Sequence, residues 1–435
     1  MIANELDAVI IGAGAAGLAA LKELDCVGRK VVCVEARDRI GGRVHTVIDP
    51  LSPVPLELGA EFIHGRSPEI WDVIRSHGLI AYDCAQTAVR VKVGKAQHGT
   101  DGWELIDGVM QDMQKAAKRG KDRSFSIFLE GSSHSAGAKR LAMSYVEGFN
   151  AARGELVSIR SLAKDAEAAD EIEGDRSFRF VNGYRSLILQ LISGVADLRA
   201  KLRINRVVER IEWESGHATV HARSALSGQA ETFRSRSVVI TAPLGVLKSG
   251  GISFEPEPQA TLEAAQALEF GQVMRVSLRF REAFWEENDE FACAGFLLSN
   301  ERFFPTWWTA LPVRAPVLTG WCAGSRTDDL LEAPRSEIVG RAVADLSRIT
   351  GFGENRLSGL LENAYLHDWH ADPFARGAYS YVPVGALRAR EKLAEPVEDT
   401  LYFAGEATEV NGHSATVHGA IASGRRAARQ ILARE

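Results

Sequence analysis

Residues 7–43 constrain this chain more than any other stretch. Residues 8–11 (Ala-Val-Ile-Ile) are apolar and stop at Gly12-Ala13-Gly14-Ala15-Ala16-Gly17. An alanine- and leucine-rich segment then runs to Leu24, and a second β-branched run, 31–34, ends at Glu35. The period of the apolar residues predicts buried strand, tight turn, helix and buried strand, closing on an acid. The three glycines serve different ends. Gly12 permits the turn, Gly14 admits a pyrophosphate to the backbone, and Gly17 brings the helix close to the strand. The first helical residues, Ala15 and Ala16, present unpaired N–H groups and the positive end of the helix dipole to phosphate. Glu35 accepts hydrogen bonds from both hydroxyls of an adenosine ribose and repels a 2′-phosphate, so the neighbouring Ala36 and Arg37 do not make this an NADP site. The expectation is a dinucleotide.

The residues after Glu35 narrow the choice. No new helix starts; the chain continues Ala36-Arg37-Asp38-Arg39-Ile40-Gly41-Gly42-Arg43. Gly42 adds backbone N–H groups, and Arg43 adds a fixed charge beside the pyrophosphate. This run is similar to the ExxxRxGGR continuation of FAD-dependent oxidoreductases, which NAD enzymes generally lack, and it points to FAD.

A chain of 435 residues exceeds one simple core, so two domains are expected. The net charge of −6 comes with no basic stripe, which argues against nucleic acid. The five cysteines (Cys26, Cys33, Cys84, Cys293 and Cys322) are odd in number and widely spaced. That argues against zinc or a disulfide framework, with Cys26 and Cys33 expected to fill the first βαβ core. No metal site is expected. Neither end shows a leader or an apolar anchor, so the expectation is a soluble cytoplasmic protein off the membrane, monomeric or homodimeric.

Further along, Gly59 and Ala60 are small, as needed where backbone passes close to a planar ring system. Residues 68–77 read as a short helix with Ser67 as cap and Pro68 at its first position. Residues 80–100 read as a hairpin, and 105–195 as a mostly helical inserted block. Strand patterns at 201–222 and 231–241 predict a meander ending at Ala242-Pro243. Residues 272–325 predict antiparallel sheet whose many aromatics mostly form its core, and 336–349 an amphipathic helix. A strand over 360–369 puts His367 and His370 on opposite faces, which argues against a metal pair. The segment 401–408, with Gly405 and Glu406, followed by a helix start at 415–420, predicts a second anion- or flavin-facing turn.

Together these blocks resemble the flavin-containing amine oxidases, in particular the polyamine oxidase and histone-lysine demethylase branch. The resemblance implies an α/β fold: an FAD-binding Rossmann-like domain of the two-dinucleotide-domain flavoprotein type (1–85, 200–248, 390–435) with a discontinuous α+β substrate domain (86–199, 249–389). It implies that Glu35 holds the ribose, Gly42 and Arg43 flank the pyrophosphate, and Val208 offers its backbone to the adenine. It sets Gly59, Ala60, Glu61, Phe62 and Trp369 along the isoalloxazine. Glu406 and Val417 close over the ribityl chain and pyrimidine, with Pro243, Gly405, Thr416 and Ala420 in the same blocks. Ala378 falls where monoamine oxidases carry the cysteine that bonds the flavin, so FAD is expected to be non-covalent.

At the reacting end the resemblance makes Tyr379 one wall of an aromatic cage, Thr416 the opposite wall, and His64 a residue near the substrate. Arg275 stands where the family usually has a lysine bonded through water to flavin N5. Arginine keeps the charge but cannot act as a neutral amine. The implied reaction oxidises the C–N bond of a primary or secondary amine by hydride transfer to N5, with imine hydrolysis and reduction of O2 to H2O2. The alternatives are a dehydrogenase or desaturase on a non-amine substrate, or an L-amino-acid oxidase with Arg275 as carboxylate clamp.

Overall fold

The computed structural model describes residues 5–92, 94–96 and 102–434. The strand Leu6–Ile11 is buried from Ala8 onward, which explains its unbroken apolar run. It pairs in parallel with Val31–Val34 on one side and with Ala230–Ile240 on the other. The sheet runs in the order Leu202–Arg203, Val31–Val34, Leu6–Ile11, Ala230–Ile240, His217–Ser224, Arg206–Glu214, Ser253–Glu255. Leu401–Phe403 pairs beside the end of Ala230–Ile240. The predicted meander is present as the antiparallel strands Arg206–Glu214, His217–Ser224 and Ala230–Ile240.

Ala230–Ile240 joins two kinds of sheet, and its sequence shows where. Burial alternates along its first seven residues and is continuous over its last four. The alternating part pairs within the meander, where one face meets solvent. The continuous part lies between Leu6–Ile11 and Leu401–Phe403 in the covered parallel layer. Helices Ala15–Asp25 and Val417–Leu432 cover one face of that layer. They approach so closely that a Cβ on Gly424 would sit 2.0 Å from the Ala16 carbonyl oxygen. A second core, including Val9, Ile11, Val208, Ile240 and Leu401, fills the opposite face.

The second large sheet runs Leu361–Tyr365, Val273–Phe280, Val317–Ala323, Thr306–Trp308, Phe296–Leu298, Ala88–Lys92, Lys95–Ala96. Phe280, Phe284, Trp285, Phe304 and Trp307 form its core as predicted, covered by the helix Arg335–Thr350.

Four expectations change. Residues 80–100 do not form one hairpin: Ala81–Asp83 pairs with Ser177–Phe180, whereas Ala88–Lys92 turns back onto Lys95–Ala96, and 97–100 lie outside the described residues. The block 105–195 is mostly helical and broken by turns, but it also holds the strand Ser177–Phe180, whose Ser-Phe-Arg-Phe alternation has the strand period and which pairs on both sides. The strand predicted over 360–369 is Leu361–Tyr365 only, so His367 lies beyond it and pairs with Asp372 at 2.7 Å. Cys33 is buried in the first core, but Cys26 is exposed at the helix end. Residues 1–4, on which the expectation of no leader partly rests, lie outside the described residues. Among the described residues no helix is long and apolar enough to cross a membrane, and no cluster of three or more His, Cys, Asp or Glu is arranged to hold a metal ion.

Candidate active site

One cavity of about 1180 Å³ begins at the glycine turn and runs beneath the second sheet to the helices of the inserted block. It exceeds the ~300–1000 Å³ of an ordinary small-molecule pocket, so it fits an extended ligand with a second, smaller one. At its first end the wall is backbone. Gly12 has φ +97° and Gly14 caps the helix Ala15–Asp25, which has no side-chain cap and no acid in its first turn. The orphan N–H groups of that helix therefore face the cavity. Beyond Gly14 stands only another glycine: a Cβ there would meet Gly42 Cα at 3.9 Å. This donor set and the missing side chains fit a pyrophosphate.

Glu35 lies at the cavity edge with one carboxylate oxygen accepting from Ala13 N at 2.7 Å and the other from Arg37 N at 2.9 Å. Burial pushes its pKa up, against the lowering effect of those N–H groups. The Arg37 side chain is held away by Asp372 at 2.8 Å. Val208 borders the cavity at a register shift between Arg206–Glu214 and His217–Ser224, where a bulge interrupts the ladder. Arg43 binds the Ala378 carbonyl at 2.6 Å and Glu406 at 2.9 Å, and Glu406 in turn accepts from the Ser380 hydroxyl at 2.7 Å.

In the middle, the segment carrying Gly59 is pressed against its neighbours. A Cβ on Gly59 would sit 1.8 Å from the Arg43 carbonyl oxygen and 3.2 Å from the Trp369 ring, whose Nε1 donates to Leu58 O at 2.8 Å. Gly59, Ala60 and Trp369 thus line the cavity with no side chain projecting from Gly59.

The far end is built from side chains. Glu61 binds Arg179 at 2.5 Å, Arg275, and the Trp308 indole at 3.1 Å. Burial opposes its ionisation, but Arg179 and Arg275 prevail and hold its pKa below the usual range. One carboxylate against two guanidinium groups leaves this floor net positive. Around it, Phe62 meets Trp308 edge-on at 5.4 Å, Trp308 meets Trp321 at 5.7 Å, and His64 meets Phe149 at 5.5 Å. Burial lowers the His64 pKa to about 4, so the ring is neutral at physiological pH. Tyr379 donates its hydroxyl to Phe149 O at 2.9 Å.

Of the residues expected at the site, Gly12, Gly14, Ala15, Ala16, Glu35, Ala36, Arg37, Gly42, Arg43, Gly59, Ala60, Glu61, Phe62, His64, Val208, Pro243, Arg275, Trp369, Tyr379, Gly405, Glu406, Thr416, Val417 and Ala420 all line this cavity. Gly17 does not. It packs behind the turn, where a Cβ would lie 1.8 Å from Gly12 O. Two catalytic candidates are more constrained than expected. The Thr416 hydroxyl caps the last helix, accepting from Gly419 N at 3.0 Å and donating to His413 O at 2.6 Å, so no hydroxyl proton is left for the cavity. The Arg275 guanidinium binds Glu61 and, at 2.8 Å, the Gly59 carbonyl, while its Nε is buried without a partner. Sequence reasoning misses Phe149, Trp308, Trp321 and Asp165 as site residues. No contiguous motif marks them, and only their convergence on the cavity does. No cysteine is among the described lining residues.

A family profile described as flavin containing amine oxidoreductase matches residues 15–432. Lysine-specific histone demethylase 1 homolog 2 of Oryza sativa subsp. japonica is 30% identical over 98% of this chain, which spans 56% of that protein. Polyamine oxidase 2 of Arabidopsis thaliana is 29% identical over 97% of this chain and 86% of its own length. Among solved structures, putrescine oxidase with putrescine bound superposes with TM-score 0.82 at 22% identity, covering 99% of both chains. Cyclohexylamine oxidase from Brevibacterium oxydans IH-35A gives TM-score 0.82 at 21% identity with the same coverage. At those identities the likeness speaks for the fold.

Proposed function

The chain belongs to the flavin-containing amine oxidoreductases, and from that premise we propose that it is an FAD-dependent oxidase of a primary or secondary amine. The observation that carries the reading is the continuity of one cavity from the glycine turn at the helix N-terminus to a chamber walled by aromatic rings, with two guanidinium groups against one carboxylate at its floor. When bound, FAD supplies the hydride acceptor for the amine's α C–H, and O2 regenerates it with release of H2O2. FAD is held non-covalently, since Ala378 and the other described lining residues offer no thiol. Residues 1–85, 200–248 and 390–435 serve chiefly it and 86–199 with 249–389 chiefly the amine, with Phe62 and His64 crossing to the amine and Arg275 and Trp369 to the cofactor end. The protein works in the cytoplasm as a monomer or homodimer.

The chain's own part is binding, orientation and exclusion. The turn at Gly12–Gly14, with Gly42 and Arg43, holds the phosphates, and Glu35 holds the ribose. Phe62, His64, Phe149, Trp308 and Tyr379 exclude water and orient the amine. A reacting amine has to be neutral to use its lone pair. The excess charge of Arg179 and Arg275 over Glu61 disfavours an ammonium ion nearby, and neutral His64 accepts from an amine N–H without adding charge. Because both the Gly59 carbonyl and Glu61 engage Arg275, that residue is a poor carboxylate clamp, which supports amines over amino acids.

The test is anaerobic stopped-flow mixing of the yellow holoprotein with monoamines, polyamines and amino acids. Bleaching by at least one amine, with peroxide on readmission of O2, is expected; a flavin that no amine bleaches overturns the proposal. Tyr379→Ala should slow bleaching about 10- to 100-fold while FAD stays bound. Acid precipitation should release all of the flavin.

A further inference from the structure

We propose that Glu57, buried behind the floor of the chamber, is a charge-compensating acid. It takes up a proton from water when the cofactor side of Arg275 gains negative charge, and releases it when that charge leaves. The proposal rests on the amine-oxidase reading, which supplies the charge. A hydride carries two electrons and one proton, so its transfer from the amine's α C–H adds one negative charge at the cofactor and leaves one positive charge on the oxidised amine.

The geometry sets Glu57 apart from the other acids nearby. It ends the short strand Leu56–Glu57, and the next residues, Leu58 to Phe62, line the large cavity while Glu57 does not. Glu57 lines a second cavity of about 40 Å³ instead, which has room for about two or three water molecules. Glu61, Arg275 and Trp308 line both spaces and so form the partition between them. Arg275 reaches the cofactor wall through the bond from its Nη1 to the Gly59 carbonyl at 2.8 Å, and it pairs with Glu61. Its Nε is buried without a partner, so the guanidinium is incompletely bonded.

Glu57 is bonded but not neutralised. Its carboxylate accepts from the Tyr184 N–H at 2.6 Å and the Thr46 hydroxyl at 2.8 Å, both neutral donors. Burial raises its pKa to about 7 against those two bonds and the charge of Arg275, and Glu61 adds to the rise. The other titratable groups around it keep one charge state near neutral pH. Burial holds the Tyr184 and Tyr82 phenols protonated, Arg179 and Arg275 hold Glu61 ionised, and the arginines stay charged. With Glu57 protonated, two guanidinium groups face one carboxylate; with it ionised, they face two. Negative charge arriving beyond the partition therefore favours the protonated form. The proton passes from water to a carboxylate oxygen, and no electron moves with it. Linkage makes the effect reciprocal: ionised Glu57 makes the bound cofactor harder to reduce.

The experiment reduces the FAD-loaded protein with dithionite beside a redox dye and follows the midpoint potential from about pH 5.5 to about pH 8.5. No amine takes part, so this test and that of amine oxidation fail separately. Wild type should show a limb around neutral pH on which the potential falls more steeply, by one further proton per reduction. Glu57→Gln, which copies the protonated side chain, should lack that limb, matching wild type at the acid end and lying above it at the alkaline end. Thr46→Val, at a half-buried position, removes one bond to the ionised form. It should keep the limb and move it up by about one pH unit. A limb that survives Glu57→Gln belongs to the flavin itself and overturns the proposal; should that variant not fold, a limb unmoved by Thr46→Val overturns it. A limb lost in Glu57→Gln, in a protein whose flavin no amine bleaches, leaves the compensating acid in place and overturns only the choice of substrate.

Discussion

The two ends of the cavity are made of different material. Around Gly12, Gly14 and Gly42 the wall is main chain, and the buried acid Glu35 is satisfied by main-chain N–H groups within one short stretch of sequence. Around Glu61 the wall is side chain. Its contacts come from Arg179, Arg275 and Trp308, each more than a hundred residues away. Backbone cannot vary its chemistry, so the first end suits a cofactor common to many enzymes. Side chains can, so the second end suits a substrate particular to one. The contrast also predicts how each end fails: the first by sterics, the second by electrostatics.

The largest effect should come from adding atoms to the first end. Gly17→Val puts a Cβ into the space held by the Gly12 carbonyl, at a point where strand, turn and helix leave no room to shift. The expected outcome is protein that does not fold or emerges colourless. A yellow Gly17→Val protein of ordinary stability would show that the main-chain wall is softer than its geometry indicates.

At the second end, Glu61→Gln should keep the shape but leave Arg179 and Arg275 buried without a counter-ion. Breaking a buried pair in this way costs about 3–5 kcal/mol, read as a lower denaturant midpoint. Nearby Glu57, whose pKa burial raises to about 7, is the group positioned to ionise and replace part of the lost charge. The loss should therefore shrink above neutral pH.

The same contrast governs how much is legible in the sequence. The run from Gly12 to Arg43 can be read because its partners are close neighbours in sequence, and its geometry needs glycine at fixed places. The meander and the long strand Ala230–Ile240 can be read because burial leaves a period in the sequence. The strand Ser177–Phe180 has the same kind of period but only four residues, and helical patterns flank it on both sides. Arg275 stands out as a departure from a family pattern, yet nothing local points to Glu61 as its partner. Trp308 and Trp307 are adjacent, and no sequence rule tells which faces the core and which the cavity. Thr416 reads as a cage wall because its helix-capping role appears only once the turn from His413 is folded. Asp165 is invisible, since only the fold brings its helix, Ile159–Glu171, to the cavity.

Acid should separate the two ends further. His418 is buried beside His413 and His64, its Nε2 has no partner, and burial, then the charges of those two rings, lowers its pKa to about 3. The folded state therefore binds fewer protons than the unfolded state between about pH 6.5 and that value. Its contribution is complete above about pH 6.5 and is lost as the pH falls, the loss reaching about 2 kcal/mol at pH 5. His418→Gln should flatten the acid limb of a stability–pH curve by about that amount; an unchanged limb would place the acid sensitivity elsewhere.

The smallest change asks whether the chamber works through its ring or its hydroxyl. Tyr379→Phe removes only the bond to the Phe149 carbonyl, a single neutral hydrogen bond worth about 1 kcal/mol. Burial holds that hydroxyl's pKa above its ordinary value, so it keeps its proton at working pH. If the tyrosine serves as an aromatic wall, amine-driven bleaching in the phenylalanine variant should stay within about 3-fold of wild type, far from the loss expected for alanine. If bleaching instead falls as far as in Tyr379→Ala, the hydroxyl is what counts: its bond to Phe149 fixes the helix Ala136–Asn150 against the strand that carries Tyr379. The chamber would then depend on the joint between two segments, and a side-chain wall would need the same rigid backing that the glycine turn receives from its own backbone.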